Sequence, residues 1–167
     1  MNPASFSLTD NKLLPVLETT CAVSQPYNSV FNTEHPPVFD VKGIWDTGAS
    51  ASVISRRMIT SMALKPFSKC TMFYAQGNLL VNIYKINIIL PNGVEISNVT
   101  VSEGNLLDTD ILIGMDIINL GDFAITHRNS GTLFSFQIPS THHIDFGNFD
   151  SFEKFNKSYF REKNYFQ

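Results

Sequence analysis

The chain has 167 residues, 43% of them hydrophobic and 16% charged, with a formal net charge of −3. That length suits one domain with room for a tail, and the apolar share suits a buried core. The small negative charge leaves no electrostatic footprint for nucleic acid or an anionic membrane, and no apolar run approaches the length of a bilayer span.

Residues 1–12 are polar and read as a flexible N-terminal segment. They carry neither a basic n-region nor an apolar h-region, so no secretory signal is visible and the cytoplasm is the default compartment. Leu13, Leu14, Val16 and Leu17 open an apolar stretch that runs to Val23 and reads as a strand from its β-branched content. Residues 25–37, with three prolines, read as a loop. Val38 to Ile44 returns as a strand and delivers Asp46. Cys21 and Cys70 lack metal-ligand spacing; free thiols in a reducing compartment are the simplest reading, with one disulfide as the alternative.

Gly43-Ile44-Trp45-Asp46-Thr47-Gly48-Ala49-Ser50 runs from apolar residues into a carboxylate, a hydroxyl, a glycine and two small residues. A carboxylate at the end of a buried strand is costly unless its oxygens find donors. Thr47 offers a supporting hydroxyl, Gly48 permits a sharp turn, and Ala49 and Ser50 keep the neighbouring space small. Ala51 to Ser55 reads as the returning strand. Asp-Thr-Gly alone is also ordinary β-turn chemistry.

Beyond Ser55, a plausible N-cap, Met58, Ile59, Met62 and Ala63 recur at helical spacing over Arg56 to Leu64. Lys69 to Ala75 and Leu79 to Leu90 read as strands about a turn at Gln76-Gly77-Asn78. Pro91-Asn92-Gly93 is a hairpin turn, and the apolar phase slips between Ile96 and Val99, which predicts a bulge. Ile111 to Gly114 is a continuous apolar run, as in a strand buried on both faces. Met115 to Leu120 looks helical, and Phe123–Ile125 with Leu133–Phe136 make a last hairpin. The body, residues 13–138, is mainly β, a small closed barrel-like domain with one or two short helices. Residues 139–167 form an aromatic-rich C-terminal extension in which Phe149, Phe152, Phe155 and Tyr159 approximate a helix stripe. His142-His143 have no other ligands nearby in sequence and read as a solvated pair; no metal or other cofactor is implied.

The stretch around Asp46 resembles the active-site loop of retropepsin-like aspartic proteases, where apolar residues precede Asp-Thr-Gly-Ala-Ser. Ile111-Leu112-Ile113-Gly114-Met115-Asp116 is similar to the apolar-apolar-Gly strand that crosses behind that loop in the family, in its bacterial and retrotransposon-like branch. The resemblance covers about residues 13–138 and implies a retropepsin-like fold and an aspartic endopeptidase acting on polypeptide. It implies that Asp46 is the catalytic carboxylate, that Thr47 bonds across a dimer, and that Gly48, Ala49 and Ser50 complete the loop. Ala75, Gln76 and Gly77 fall at the flap, and Ile113 and Gly114 pack under the active site. The chain departs from the retroviral pattern at Met115, where an Arg is usual, in a glycine-poor flap, and in its tail.

Carboxylate-catalysed peptide hydrolysis needs two carboxyls sharing a proton. The chain has one Asp-Thr-Gly, so the mechanism calls for a homodimer with one Asp46 from each copy. The alternative is a catalytically silent retropepsin-like domain used for dimerisation or peptide binding. Phosphoryl transfer on an aspartate would need metal-binding carboxylates around the nucleophile, and none flank Asp46. Asp116 reads as a helix-cap or surface carboxylate. Val53, Ile83, Ile86 and Ile113 suggest an apolar substrate lining.

Overall fold

A computed structural model describes residues 2–27, 34–74 and 77–145. Among these residues ten strands and two short helices follow one another, in a mainly β arrangement. They are β1 (Ala4–Asp10), β2 (Leu17–Ser24), β3 (Val38–Trp45), β4 (Val53–Ser55), α1 (Arg56–Ser61), β5 (Ser68–Tyr74) and β6 (Gly77–Ile89). Then come β7 (Glu95–Gly104), β8 (Ile111–Ile113), α2 (Met115–Ile118), β9 (Asp122–Arg128) and β10 (Gly131–Ile138).

Seven strands form one sheet in the order β2-β3-β8-β4-β7-β6-β5. The last residues of β6 reach back to β2, pairing Val23 with Ile88, so six of the strands close into a ring. The first half of β6 pairs instead with β5. β8 lies parallel to β3 and antiparallel to β4, which wedges Ile111–Ile113 between the two strands flanking the Asp46 loop. Ile111 and Ile113 are fully buried. The predicted phase slip is a real irregularity: the β6–β7 register shifts between Ile86 and Ile88, and Asn98 on β7 has φ of 58°. Ser55 Oγ accepts from Met58 N–H and caps α1. At the Pro91-Asn92-Gly93 turn, Gly93 takes φ of 78° and its N–H donates to Leu90 O.

The N-terminal reading needs correction. Residues 4–10, expected to be loosely held, form β1 and pair along their whole length with β10, Ala4 opposite Ile138 and Asp10 opposite Thr132. With β9 they make a three-stranded sheet in the order β1-β10-β9. Side chains on β1 alternate between exposed and half-buried, as a strand covering a core with one face requires. Conversely, the apolar stretch from Leu13 becomes a strand only at Leu17; Leu13 and Val16 are exposed.

An aromatic cluster joins the small sheet to the barrel. Trp45, at the end of β3, packs on Phe136 and Phe134 with ring centroids 4.9 and 5.2 Å apart, and on Phe6 at 5.8 Å. Its indole N–H donates to Thr19 Oγ1 at 2.9 Å, so the polar edge of the ring is satisfied inside the core. Both cysteines are free thiols, Cys21 buried and Cys70 exposed. Burial pushes the Cys21 thiol pKa up. Among the described residues no helix is long and apolar enough to cross a membrane. The aromatic stripe of the tail lies outside the described residues.

Candidate active site

The site is built where β3 runs out. Trp45 is held in the aromatic cluster, so the next residue emerges at a fixed point. Asp46 N–H donates to Ile113 O at 2.9 Å, which continues the β3–β8 pairing by one residue. The chain then turns: Ala49 N–H donates to Asp46 O, and Gly48 N–H donates to Asp46 Oδ1 at 2.8 Å. The Asp46 carboxylate is half-buried and has one backbone donor, with no cation paired to it among the described residues. Thr47, Gly48 and Ser50 are exposed, and Ala49 is half-buried.

The loop rests on the strand-to-helix corner at Gly114. A Cβ at Gly114 would lie 2.7 Å from the carbonyl carbon of Ala51 and 2.9 Å from Ala49 O. Met115 N–H donates to Ala49 O at 2.8 Å, and Gly114 N–H donates to Ser52 Oγ at 3.1 Å. Ser52 in turn gives its hydroxyl and its N–H to the two oxygens of Asp116, at 2.8 and 3.1 Å. Asp116 Oδ1 also accepts from Ile117 N–H at 3.1 Å in the first turn of α2, in keeping with the expected cap carboxylate, and the same carboxylate ties that turn to the loop after Asp46. Its signal in sequence was its place two residues after Gly114, inside the segment that packs against the loop.

Residues 39–119 match the family model of the gag-polyprotein putative aspartyl protease. The matched stretch, just under half of the chain, runs from β3 through α2 and holds the Asp46 turn. Among similar solved structures is a retropepsin-like aspartic protease from Rickettsia conorii, 12% identical with a TM-score of 0.49, over 83% of this chain and 97% of that one. Another is EIAV protease complexed with the inhibitor HBY-793, 16% identical with a TM-score of 0.44, over 64% of this chain and 88% of that one. No curated protein matches the chain.

Of the expected flap residues, Gly77 starts β6 opposite Tyr74 with φ of 134°, a conformation residues other than glycine rarely adopt. Ala75 and Gln76 lie outside the described residues. Ile83 lines an open recess beside the loop, but Ile86 and Ile113 are fully buried in the core, which corrects the expected apolar lining. A second recess of about 370 Å³ adjoins Asp46 and Thr47 on the other side, against Val16, Phe123, Ile125 and His127.

The other candidate carboxylates are engaged elsewhere. Asp110 is buried, accepts the Lys42 N–H at 3.0 Å and pairs with Arg57. Asp122 receives the Ser140 hydroxyl, the Thr141 and His142 N–H groups and the His142 ring. These donors, the Ser140 hydroxyl first, hold its carboxyl well below the usual carboxylate range. His142 thus lies on Asp122.

Proposed function

We propose that the protein is an aspartic endopeptidase whose dyad is formed by Asp46 from each of two identical subunits. The supporting observation is that the turn holds a single half-buried carboxylate at the end of a rigid strand, while Asp110, Asp116 and Asp122 are committed to structural contacts. One carboxylate takes a proton from water as the oxygen attacks the scissile carbonyl carbon. The other, protonated, donates to the carbonyl oxygen, and the shared proton reaches the amine as the C–N bond breaks. Two carboxyls at hydrogen-bond distance do not both ionise, so the pair is poised as acid and base.

The second copy meets the first around the exposed Thr47-Gly48 turn. The outer edge of β9 is unpaired among the described residues, and Ile125 and Val16 are exposed near it, so that side supplies strand edge and apolar surface for a two-fold contact. Thr47 then donates across the axis, and Ala75, Gln76 and Gly77 close over an extended peptide.

The test is the mass in solution together with peptide-library cleavage by wild type and Asp46→Asn between about pH 4 and 7. A dimer whose cleavage vanishes in Asp46→Asn is expected. An inactive strict monomer, or activity that survives the substitution, overturns the reading.

A further inference from the structure

We propose that the recess beside the Asp46 loop is a specificity subsite for an uncharged amide side chain, glutamine or asparagine, with Ser102 as its polar determinant. The inference rests on the peptidase reading above and names the substrate class that reading leaves open.

Alternation along β7 sends Val99 and Val101 into the core and puts Thr100 and Ser102 on the opposite face. Ser102 pairs with Ile83 on β6 and Val53 on β4. The space on that face is a recess of about 520 Å³. Ser50 and Ala51 border it from the Asp46 loop, Cys70 from β5, and Ile83, Thr100 and Ser102 from the strands beneath. Every described residue lining it is uncharged, and the Lys85 ammonium donates to one of them, at Thr100 Oγ1.

Ser102 is 6% exposed, and its Oγ is the buried side-chain oxygen that has no hydrogen-bond partner among the described residues. Buried hydroxyls are nearly always paired, and an unpaired one is a standing cost. A seryl oxygen moves between staggered positions by one turn about Cα–Cβ, and Ser102 borders the recess, so a guest can supply the missing partner. A hydroxyl both donates and accepts, and a primary amide offers both roles in return. An aliphatic guest of the same length fits the space and leaves the hydroxyl unpaired. An ammonium enters a recess with no carboxylate among its described lining residues and with the Lys85 ammonium already at its Thr100 side. The expected order is therefore glutamine or asparagine, then methionine or leucine, then lysine.

The test is cleavage of a peptide set in which each position in turn carries Gln, Met, Lys or Ala, by wild type, Ser102→Ala and Ser102→Thr. At one position wild type is expected to favour Gln over Met by about tenfold in kcat/KM. That ratio should fall to near one in Ser102→Ala, with Met peptides cut as before, and return in Ser102→Thr. A purely structural role for Ser102 would lower all peptides together. Cys70→Phe fills the recess from β5 and leaves β7 untouched; it should slow the Gln peptides about tenfold or more while sparing those with Ala at that position. Asp46-dependent cleavage with a Gln-to-Met ratio that Ser102→Ala leaves unchanged, or Gln peptides unaffected by Cys70→Phe, overturns the subsite and leaves the peptidase standing. No cleavage by wild type, or cleavage that survives Asp46→Asn, removes both.

Discussion

A methyl group added at Gly114 meets the backbone of Ala49 and Ala51, and backbone cannot swing aside as a side chain can. Gly114→Ala is expected to cost about 3 kcal/mol or more in urea denaturation and to lower cleavage by displacing the Asp46 turn. Ser102→Ala should behave oppositely: with no partner among the described residues to lose, stability stays level or rises by about 1 kcal/mol, and a clear drop would mean the hydroxyl is bonded. Asp122 carries a pH dependence. Its folded pKa is depressed, so its contribution is intact above the unfolded carboxylate value of about 3.9 and fades as pH falls below it. Asp122→Asn should therefore be less stable than wild type at neutral pH, and the gap should close in acid, as read by paired denaturation curves. At this scale the sequence was readable where the chemistry is local. Asp46 and Gly48 are two residues apart, and a carboxylate followed by a turn residue announces itself. The tie from Asp116 to Ser52 is not legible locally, because the two are 64 residues apart; only the place of Asp116 two residues after Gly114 points to the loop.

β1 carried its signal openly and was still missed. Ala4, Phe6 and Leu8 alternate with Ser5, Ser7 and Thr9, a period of two in which one face is polar throughout. The polar face lowered the average hydrophobicity enough to read as a loose end, yet Phe6 reaches Trp45, Phe134 and Phe136. Phe6→Ala should cost about 2 kcal/mol, below the figure for a fully buried phenylalanine because this ring is half-buried. The β6–β7 irregularity was legible because an inserted residue shifts the apolar phase, and that shift survives in one dimension. Which face of β6 borders the cleft was not. Val81, Ile83, Tyr84, Ile86, Asn87 and Ile88 are all buried, so no polar alternation marks an outer side, and Ile86 was assigned to the lining when it belongs to the core.

Mainly β with turns at short intervals, the whole chain announced a closed β body, but not the pairing that closes it. β2 and β6 are far apart in sequence and meet over three residues, a contact that no local pattern encodes. The two-subunit reading has a consequence at this scale. Specific activity should fall on dilution as subunits part, and added substrate-like inhibitor should restore the assembly. Mixing wild type with an equal amount of Asp46→Asn and allowing exchange should leave about a quarter of the pairs with two intact carboxylates. Residual activity near one half instead would mean that each chain works alone.

Ala4 stands opposite Ile138 across the β1–β10 ladder. The described body therefore begins and ends at one spot on its surface. A polypeptide that leaves and re-enters at neighbouring points can carry such a body as a cassette, inserted in a surface loop of a host without prising the host apart. The same geometry allows the order of the elements to be rotated. Joining residue 138 to residue 4 by a few glycines and opening the chain at Asn92, in the turn between β6 and β7, should give a permuted protein with the same sheet and the same Asp46 turn.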